Sequence, residues 1–404
     1  MTHNPGSRFF LVALCACALL SAAALLPAAP GVAGAKGPPQ IRWDVLAPVS
    51  YKNLTIFPVR ANFATATDAY ITLDEGIKAG TVVITEKGAR AARRPRVRRG
   101  ASNAANAANQ EAVSYNEGAS VNELALVNKS GKKLLLLAGE VIVGGQQDRI
   151  VQEDLIIPSS GVPIALSVFC VEHGRWTPRS ASYGGGGGSG AGRGSAPVVE
   201  SAPTEAAAEM VEVAPSSPAK FSSLGAVAHP KLRAAAQDKK EQTAVWSEVQ
   251  KSNEKLGTEN ATGTYQEVYA SKQVSAQLDD YIRALEREVL QPGVVGVVVA
   301  RNGRIVWADL FASPALFAGY WPKLLKSYAV DALGDNTSEK RPTVAEASAY
   351  LAARAGTASA TTQAGVYRLD KTESKAYAVF ELRDVSDDVP RHMPLRLHIN
   401  KMQR

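Results

Sequence analysis

Between Tyr51 and Glu172 the apolar positions fall in short runs and alternations with a period near two, the signature of β-strands. The runs at 51–60 (YKNLTIFPVR), 68–73 (DAYITL), 81–86 (TVVITE), 123–128, 133–139, 140–145, 149–151 and 162–172 are rich in β-branched and aromatic residues and bounded by turn residues. No helix longer than two turns is predicted in this half. From Pro230 the spacing lengthens to about 3.6 residues, the helical repeat. Leu232, Ala235, Ala236, Thr243, Trp246 and Val249 form one such series, which ends at Gly257. Val274, Leu278, Tyr281, Leu285 and Val289 form a second, stopped by Gln291-Pro292-Gly293. The run 294–300 (VVGVVVA) reads as a buried strand, Asn302-Gly303 as a hairpin turn, and 305–311 (IVWADLF) as the returning strand. Pro314 opens a third helix with Phe317, Tyr320, Trp321, Leu324 and Tyr328 on one face. A short helix around 344–354, a hairpin over 366–384 and a last strand from Pro394 complete the pattern.

Two tracts carry no periodicity. One, over 86–115, joins an arginine cluster to an Ala/Asn stretch; the other, over 177–222, is rich in Gly, Ser, Pro, Ala and Glu. Both are expected to be disordered, because neither buries enough apolar surface to offset the entropy of ordering. The second formally contains G-x-G-x-x-G, but no strand leads in and no helix leads out, so it is no phosphate cradle. The fold class expected is α+β: a β-rich half at 41–176, helices and a hairpin from 223–333 packed on it, and a C-terminal helix plus strands at 334–404. These are expected to form one globular body interrupted by insertions.

The N-terminus adds a separate element. Arg8 precedes an apolar stretch from Phe9 to Leu26, prolines at 27 and 30 break it, and Ala33-Gly34-Ala35 forms an A-x-A site. Residues 1–35 therefore read as a cleavable signal peptide, and the mature chain as periplasmic or extracellular, with no second apolar span. Cys15 and Cys17 leave with that segment, so Cys170 stands alone and no internal disulfide is available. The formal net charge is +7, yet Arg90, Arg93, Arg94, Arg96, Arg98 and Arg99 supply nearly all of it. No aromatic residue is interleaved with them, which argues for a solvated loop, in contact at most with an anionic surface or glycan, and against nucleic acid.

The segment 149–155 (RIVQEDL) echoes 304–310 (RIVWADL) at five of seven positions, each following an apolar strand and a Gly-bearing turn. Coincidence between two hairpins and an old duplication are the two readings. The densest polar cluster is Gly144, Gly145, Gln146, Gln147, Asp148 and Arg149, followed by Glu153 and Asp154. Paired glycines let backbone approach a ligand, and an arginine clamps a carboxylate or phosphate with two parallel hydrogen bonds. The alternative is a β-turn in which Arg149 and Asp148 pair internally. A second cluster is Glu172, His173, Arg175 and Trp176. Glu172 or Asp154 would serve as general base, Arg175 would hold an anion and Trp176 would stack on a ring; the alternative is a structural strand end. Cys170 and His173, three apart on a strand, face opposite ways, which favours a buried thiol over a nucleophile. His392 and His398 share a strand face and, with Glu172 or His173, outline only a weak metal constellation, so no metal site is assigned. Ser130, Lys133 and Ser114 fit fragments of a penicillin-recognising set in the wrong order.

Several segments taken in order resemble the ARG-and-rhodanese-phosphatase-superfamily-associated protein domain. They are 51–59 (YKNLTIFPV), 136–161 (LLAGEVIVGGQQDRIVQEDLIIPSSG), 170–176 (CVEHGRW), 242–249 (QTAVWSEV) and 303–332 (GRIVWADLFASPALFAGYWPKLLKSYAVDA), and, weakly, the region near Pro394. The resemblance implies a setting of nucleotide or ADP-ribose chemistry and brings no established activity with it. The signal peptide and the two insertions depart from the family. Three functions follow: an exported binding or scaffolding domain with an anion-compatible pocket, a hydrolase of a phosphoester or ADP-ribose-like substrate, or a structural envelope protein. An anionic small molecule or a glycan is the expected partner; cofactor and oligomeric state are left open.

Overall fold

The computed structural model describes residues 42–62, 64–87, 122–174, 220–335, 338, 340–389 and 395–404. The readings at 1–35, across most of 86–115 and 177–222, and at Arg175, Trp176 and His392 lie outside the described residues. Residues 41–404 form one compact unit, and the architecture is α+β, with the strands mostly in the N-terminal half.

The first half builds two small sheets. One has six strands and runs Ser222–Val227, Glu140–Val143, Arg149–Val151, Ile164–Cys170, Glu123–Asn128, Val82–Glu86. The other has three: Leu155–Ile157, Lys133–Leu136 and Tyr70–Ile71. Alternation places Val82, Ile84, Leu124, Leu126, Leu134, Leu136, Ile142, Val151, Leu166 and Val168 in one shared core. The one helix here, Leu73–Lys78, is short, as the period-two pattern requires, and starts in a capping box of Thr72 and Glu75.

A nine-stranded sheet then joins the two halves. Leu54–Ala61 from the first half pairs antiparallel with Val294–Arg301 from the second, and the order continues through Arg304–Phe311, Leu395–Gln403, Tyr377–Asp384, Tyr367–Glu373 and Thr357–Gln363. The hairpin turn has φ of 50° at Asn302 and 75° at Gly303, as Asn-Gly chemistry demands. One face of this sheet packs on the helices Gln242–Leu256, Lys272–Val289 and Pro314–Ala332 around Phe317, Trp321, Leu324, Tyr328 and Leu285. The other carries a smaller core where Ala347 and Leu351 of the helix Val344–Ala352 meet Phe57, Val298, Leu310, Val379 and Ile399.

Three details differ from the sequence expectation. The helical series from Pro230 is broken: Pro230–Ala234 widens into a π-turn over Ala235–Lys239, and Lys240, with φ of 56°, ends it before Gln242. Chain placed in the linker is ordered from Lys220, and Ser222–Val227 is a strand beside Glu140–Val143. Thr357–Gln363 is a strand with no apolar alternation, because all seven of its residues are exposed.

Gly296 shows how tightly the central hairpin closes. A Cβ there would lie 2.1 Å from the Asp309 carbonyl oxygen and 2.7 Å from the Leu310 Cα, both backbone atoms that do not swing away. Gly319, inside the long helix, has only the Thr72 methyl at 3.6 Å. Gly296→Ala is therefore expected to destabilise the fold by about 2 kcal/mol or more, whereas Gly319→Ala should be neutral or stabilising by up to about 1 kcal/mol. Thermal unfolding of the two variants beside the parent measures both signs.

Candidate functional site

The turn and the strand end singled out by sequence do meet. Gln147 donates through Nε2 to the Glu172 carbonyl at 2.9 Å, the Asp148 amide donates to Glu172 Oε2 at 3.1 Å, and the Val171 amide donates to the Asp148 carbonyl at 3.0 Å. Asp148 also accepts from the Gly144 amide and from the Thr264 hydroxyl, and Arg149 Nη1 donates to the Asp148 carbonyl at 3.3 Å. Gln146 is tied through its amide to Glu86. The meeting point is closed: Asp148 and Glu172 have no exposure, Arg149 has 1%. The glycines serve the chain itself. A Cβ on Gly145 would fall 2.2 Å from the Phe221 ring, and one on Gly144 would fall 2.9 Å from the Lys220 carbonyl. Their positive φ values, 121° and 51°, admit the strand Ser222–Val227 and its lead-in against the turn. Only the rim is open: His173 is exposed and stands edge-on to Trp246 at 4.5 Å. The Cys170 thiol is buried, and burial raises its pKa, which suits a packed thiol and not a nucleophile.

Asp154 belongs to a different cluster, the largest sealed polar network among the described residues. Asp154 Oδ1 accepts from the Ala138 amide at 2.7 Å, and Oδ2 accepts from His398 Nδ1 at 2.6 Å and Asn400 Nδ2 at 3.0 Å. His398 Nε2 lies 3.1 Å from Oδ1 of Asp309. Asp309 is gripped by both Nη atoms of Arg233 at 2.8 and 3.1 Å, by Trp307 Nε1 at 2.9 Å and by the Tyr328 hydroxyl. Arg233 stacks on Trp307 and donates through Nε to the Ala138 carbonyl. His398, Asp154, Asp309 and Arg233 have no exposure. The two aspartates are the equivalent positions of the echoed segments, and one imidazole bridges them. His398 thus meets neither Glu172 nor His173, and among the described residues no three His, Cys, Asp or Glu side chains are arranged to hold a metal.

The open polar site lies elsewhere, on the outer face of the nine-stranded sheet. The helix Val344–Ala352 covers that face only over the central strands. Beyond its C-terminal end lies a cleft of about 550 Å³ lined by Arg354, Arg368, Asp370, Glu381 and Arg383. Strand register sets Arg368 opposite Arg383 and Arg383 opposite Arg396, a row of three arginines, with Asp370 opposite Glu381 in the next row. Arg368 pairs with Asp370 at 2.7 Å, Arg383 with Asp370 at 3.3 Å and with Glu381, and Arg396 with Glu381 at 2.9 Å. Two carboxylates thus serve three arginines before Arg354 is counted. Arg354 lies over the Trp43 ring at 5.6 Å, and its Nη1 and Nη2 are buried without a hydrogen-bond partner among the described residues. Burial lowers its pKa from the ordinary value; Glu381 opposes this and Arg396 adds to it.

Lys401 caps the end of the helix that leads into Arg354. The Lys401 ammonium donates to the Tyr350 and Ala353 carbonyls at the end of the helix and lies over the rings of Tyr350 and Tyr377. Burial, then Arg354, lower its pKa to about 8. Sequence reading missed this site because its residues are scattered over 354–396 and mixed with acids. The available signal was the alternation Arg368, Asp370, Thr372 beside Glu381, Arg383, which marks one sheet face as charged.

The His398 bridge has a pH signature. Burial alone presses the imidazole pKa down, but the charges and hydrogen bonds of Asp154 and Asp309 outweigh it and hold it up at about 9, against 6.5 in free histidine. The bridge therefore contributes its full stability below about pH 6.5 and loses it as pH rises through about 9. Unfolding free energies of the parent and His398→Gln should differ by roughly 3 kcal/mol near pH 6 and converge by pH 10. Denaturant titrations across that range measure the convergence, and taking the difference removes the opposite trend from Lys401.

No curated protein and no solved structure gives a significant match to this chain. A family model described as the ARG and Rhodanese-Phosphatase-superfamily-associated Protein domain matches residues 42–204 and 215–385, and so takes in the echoed segments, the residues named as lining the cleft and every sheet strand except Leu395–Gln403. The chain belongs to that family.

Proposed function

We propose that this chain is an exported binding domain whose ligand is a small anion seated in the cleft beside Arg354. The observation that carries this reading is the Arg354 guanidinium: it stands next to a second arginine, and both its terminal nitrogens are buried with no hydrogen-bond partner among the described residues. Burying a charge without a partner is costly, and an oxyanion supplies the acceptors in the fork geometry a guanidinium matches. The cleft volume suits anything from inorganic phosphate to a nucleotide-sized ligand. The association with a phosphatase superfamily in the family's name agrees with a phosphorylated ligand. Export rests on Arg8, the apolar stretch from Phe9 to Leu26 and the A-x-A site at 33–35.

Hydrolysis ranks below binding. Its proposed bases, Glu172 and Asp154, are sealed and fully engaged in hydrogen bonds, and a general base must reach the proton it removes. The turn 144–149 is better suited to shaping the rim at His173 than to clamping an anion.

Isothermal titration of the parent with phosphate, sulfate and ADP-ribose is expected to give saturable binding for at least one of them, weakening with added salt. Arg354→Gln should weaken it at least about tenfold, the loss expected of a charge-assisted contact, and Glu172→Gln should leave it unchanged. Absence of saturable binding for all three anions, or binding indifferent to Arg354→Gln, overturns the reading.

A further inference from the structure

The cleft is bordered by a sheet edge that is unpaired among the described residues. Thr357–Gln363 pairs on one side with Tyr367–Glu373 through seven consecutive positions without a register shift, and pairs with nothing on its other side among the described residues. All seven residues are exposed. An edge strand presents a row of unpaired amides and carbonyls, and proteins ordinarily blunt such edges with lysines, prolines, bulges or shortness. The sequence here, TASATTQ, has no charge and no proline, and the strand is long and regular. The residues it gives to the cleft lining are small, Ala358, Ser359 and Ala360; Ala360 stands opposite Asp370, and Thr362, next on the same face, stands opposite Arg368.

We propose that this edge accepts an extended acidic peptide as an added strand, its carboxylates reaching the cleft arginines; the proposal rests on the anion-binding reading and names the ligand class. The dimensions fit. Strands lie about 4.8 Å apart, so an added strand would run about 10 Å from the one carrying Arg368. A glutamate and an arginine extended toward each other bridge that span when the residue between them is alanine or threonine. Alternate side chains of the added strand face the cleft, so the partner carries acids at every second position. Backbone pairing supplies affinity and the arginines supply selection, the division of labour in strand addition.

The probe is the fluorescent peptide ETETETE, titrated against the full-length chain by anisotropy, with KTKTKTK as the charge control. Saturable binding of ETETETE alone is expected, weakened at least about tenfold by Arg354→Gln or Arg368→Gln. Two further peptides of the same sequence carry N-methyl groups on the odd or on the even backbone nitrogens. In an antiparallel or parallel addition only alternate amides face the edge, so one methylated set should abolish binding and the other should leave it intact. Equal binding by both sets, or by KTKTKTK, overturns strand addition. Phosphate binding without ETETETE binding also overturns it while leaving the anion cleft standing. Failure of phosphate, sulfate, ADP-ribose and peptide alike removes the cleft reading itself.

Discussion

Two buried carboxylates set the constraint on this fold. Asp154 and Asp309 sit in the interior without exposure, where an isolated charge is expensive enough to unfold a domain or to neutralise itself. Asp309 is held well below the usual carboxylate range, since Arg233 and His398 outweigh the effect of its burial. The balance is neutral only when His398 carries its proton, two negative groups against one imidazolium and one guanidinium. Each partner comes from a different place in the chain. Asp154 follows a strand of the six-stranded sheet, Asp309 and His398 lie on neighbouring strands of the long sheet, and Arg233 comes from the helix that links them. The network forms only if every one of these elements is in register. A slip of one residue in any strand turns a charged side chain to the other face.

That constraint gives the internal echo a physical meaning. The two segments put their aspartates on the two nitrogens of one imidazole, which is what a duplicated hairpin folding face to face would do. The equivalence is partial. Ile150 and Val151 are fully buried, whereas Ile305 and Val306 are half-buried; Arg149 is buried and Arg304 is exposed. The aspartates share a partner, whereas Leu155 and Leu310 pack in different clusters and the leading arginines differ in burial. Further charged contacts span the same two halves: Lys323 bonds Glu140 and Asp74, and Lys133 bonds Asp384 and Asp388. The halves are thus joined by paired charges as well as by the shared core around Tyr320 and Trp321.

Legibility in the sequence followed apolar periodicity. The hairpin of 294–311, the helix opened by Pro314 and the short helix near Val344 were readable because each buries one regular stripe. Thr357–Gln363 was not, because a strand with no buried side has no stripe to show. The strand Ser222–Val227 was hidden by its composition, SSLGAV, which continues that of the tract before it. For chemistry the density of polar residues misled. Gly144–Arg149 and Glu172 crowd together in sequence and do meet in space, yet they meet inside the protein, where their hydrogen bonds go to one another and to Thr264. His398 stood out only beside His392, and its two aspartates, 244 and 89 residues away, could be found only by folding the chain.

The contrast between the two faces of the long sheet ties structure to function. On the inner face Arg233 and His398 meet Asp309, and Lys323 meets Glu140, beneath the layer of helices. On the outer face a nine-residue helix covers only part of the sheet, and the charges left beyond it do not balance. Lys401 lies under the end of that helix and directs its hydrogen bonds to the Tyr350 and Ala353 carbonyls, so it neutralises nothing. Like charges set directly across neighbouring strands repel, and Arg368, Arg383 and Arg396 stand in such a row with two acids among them. A surface that needed only solubility would space these arginines apart. Held together beside a strand edge that is unpaired among the described residues, they leave a positive potential that water and salt screen only in part where the groups are half-buried.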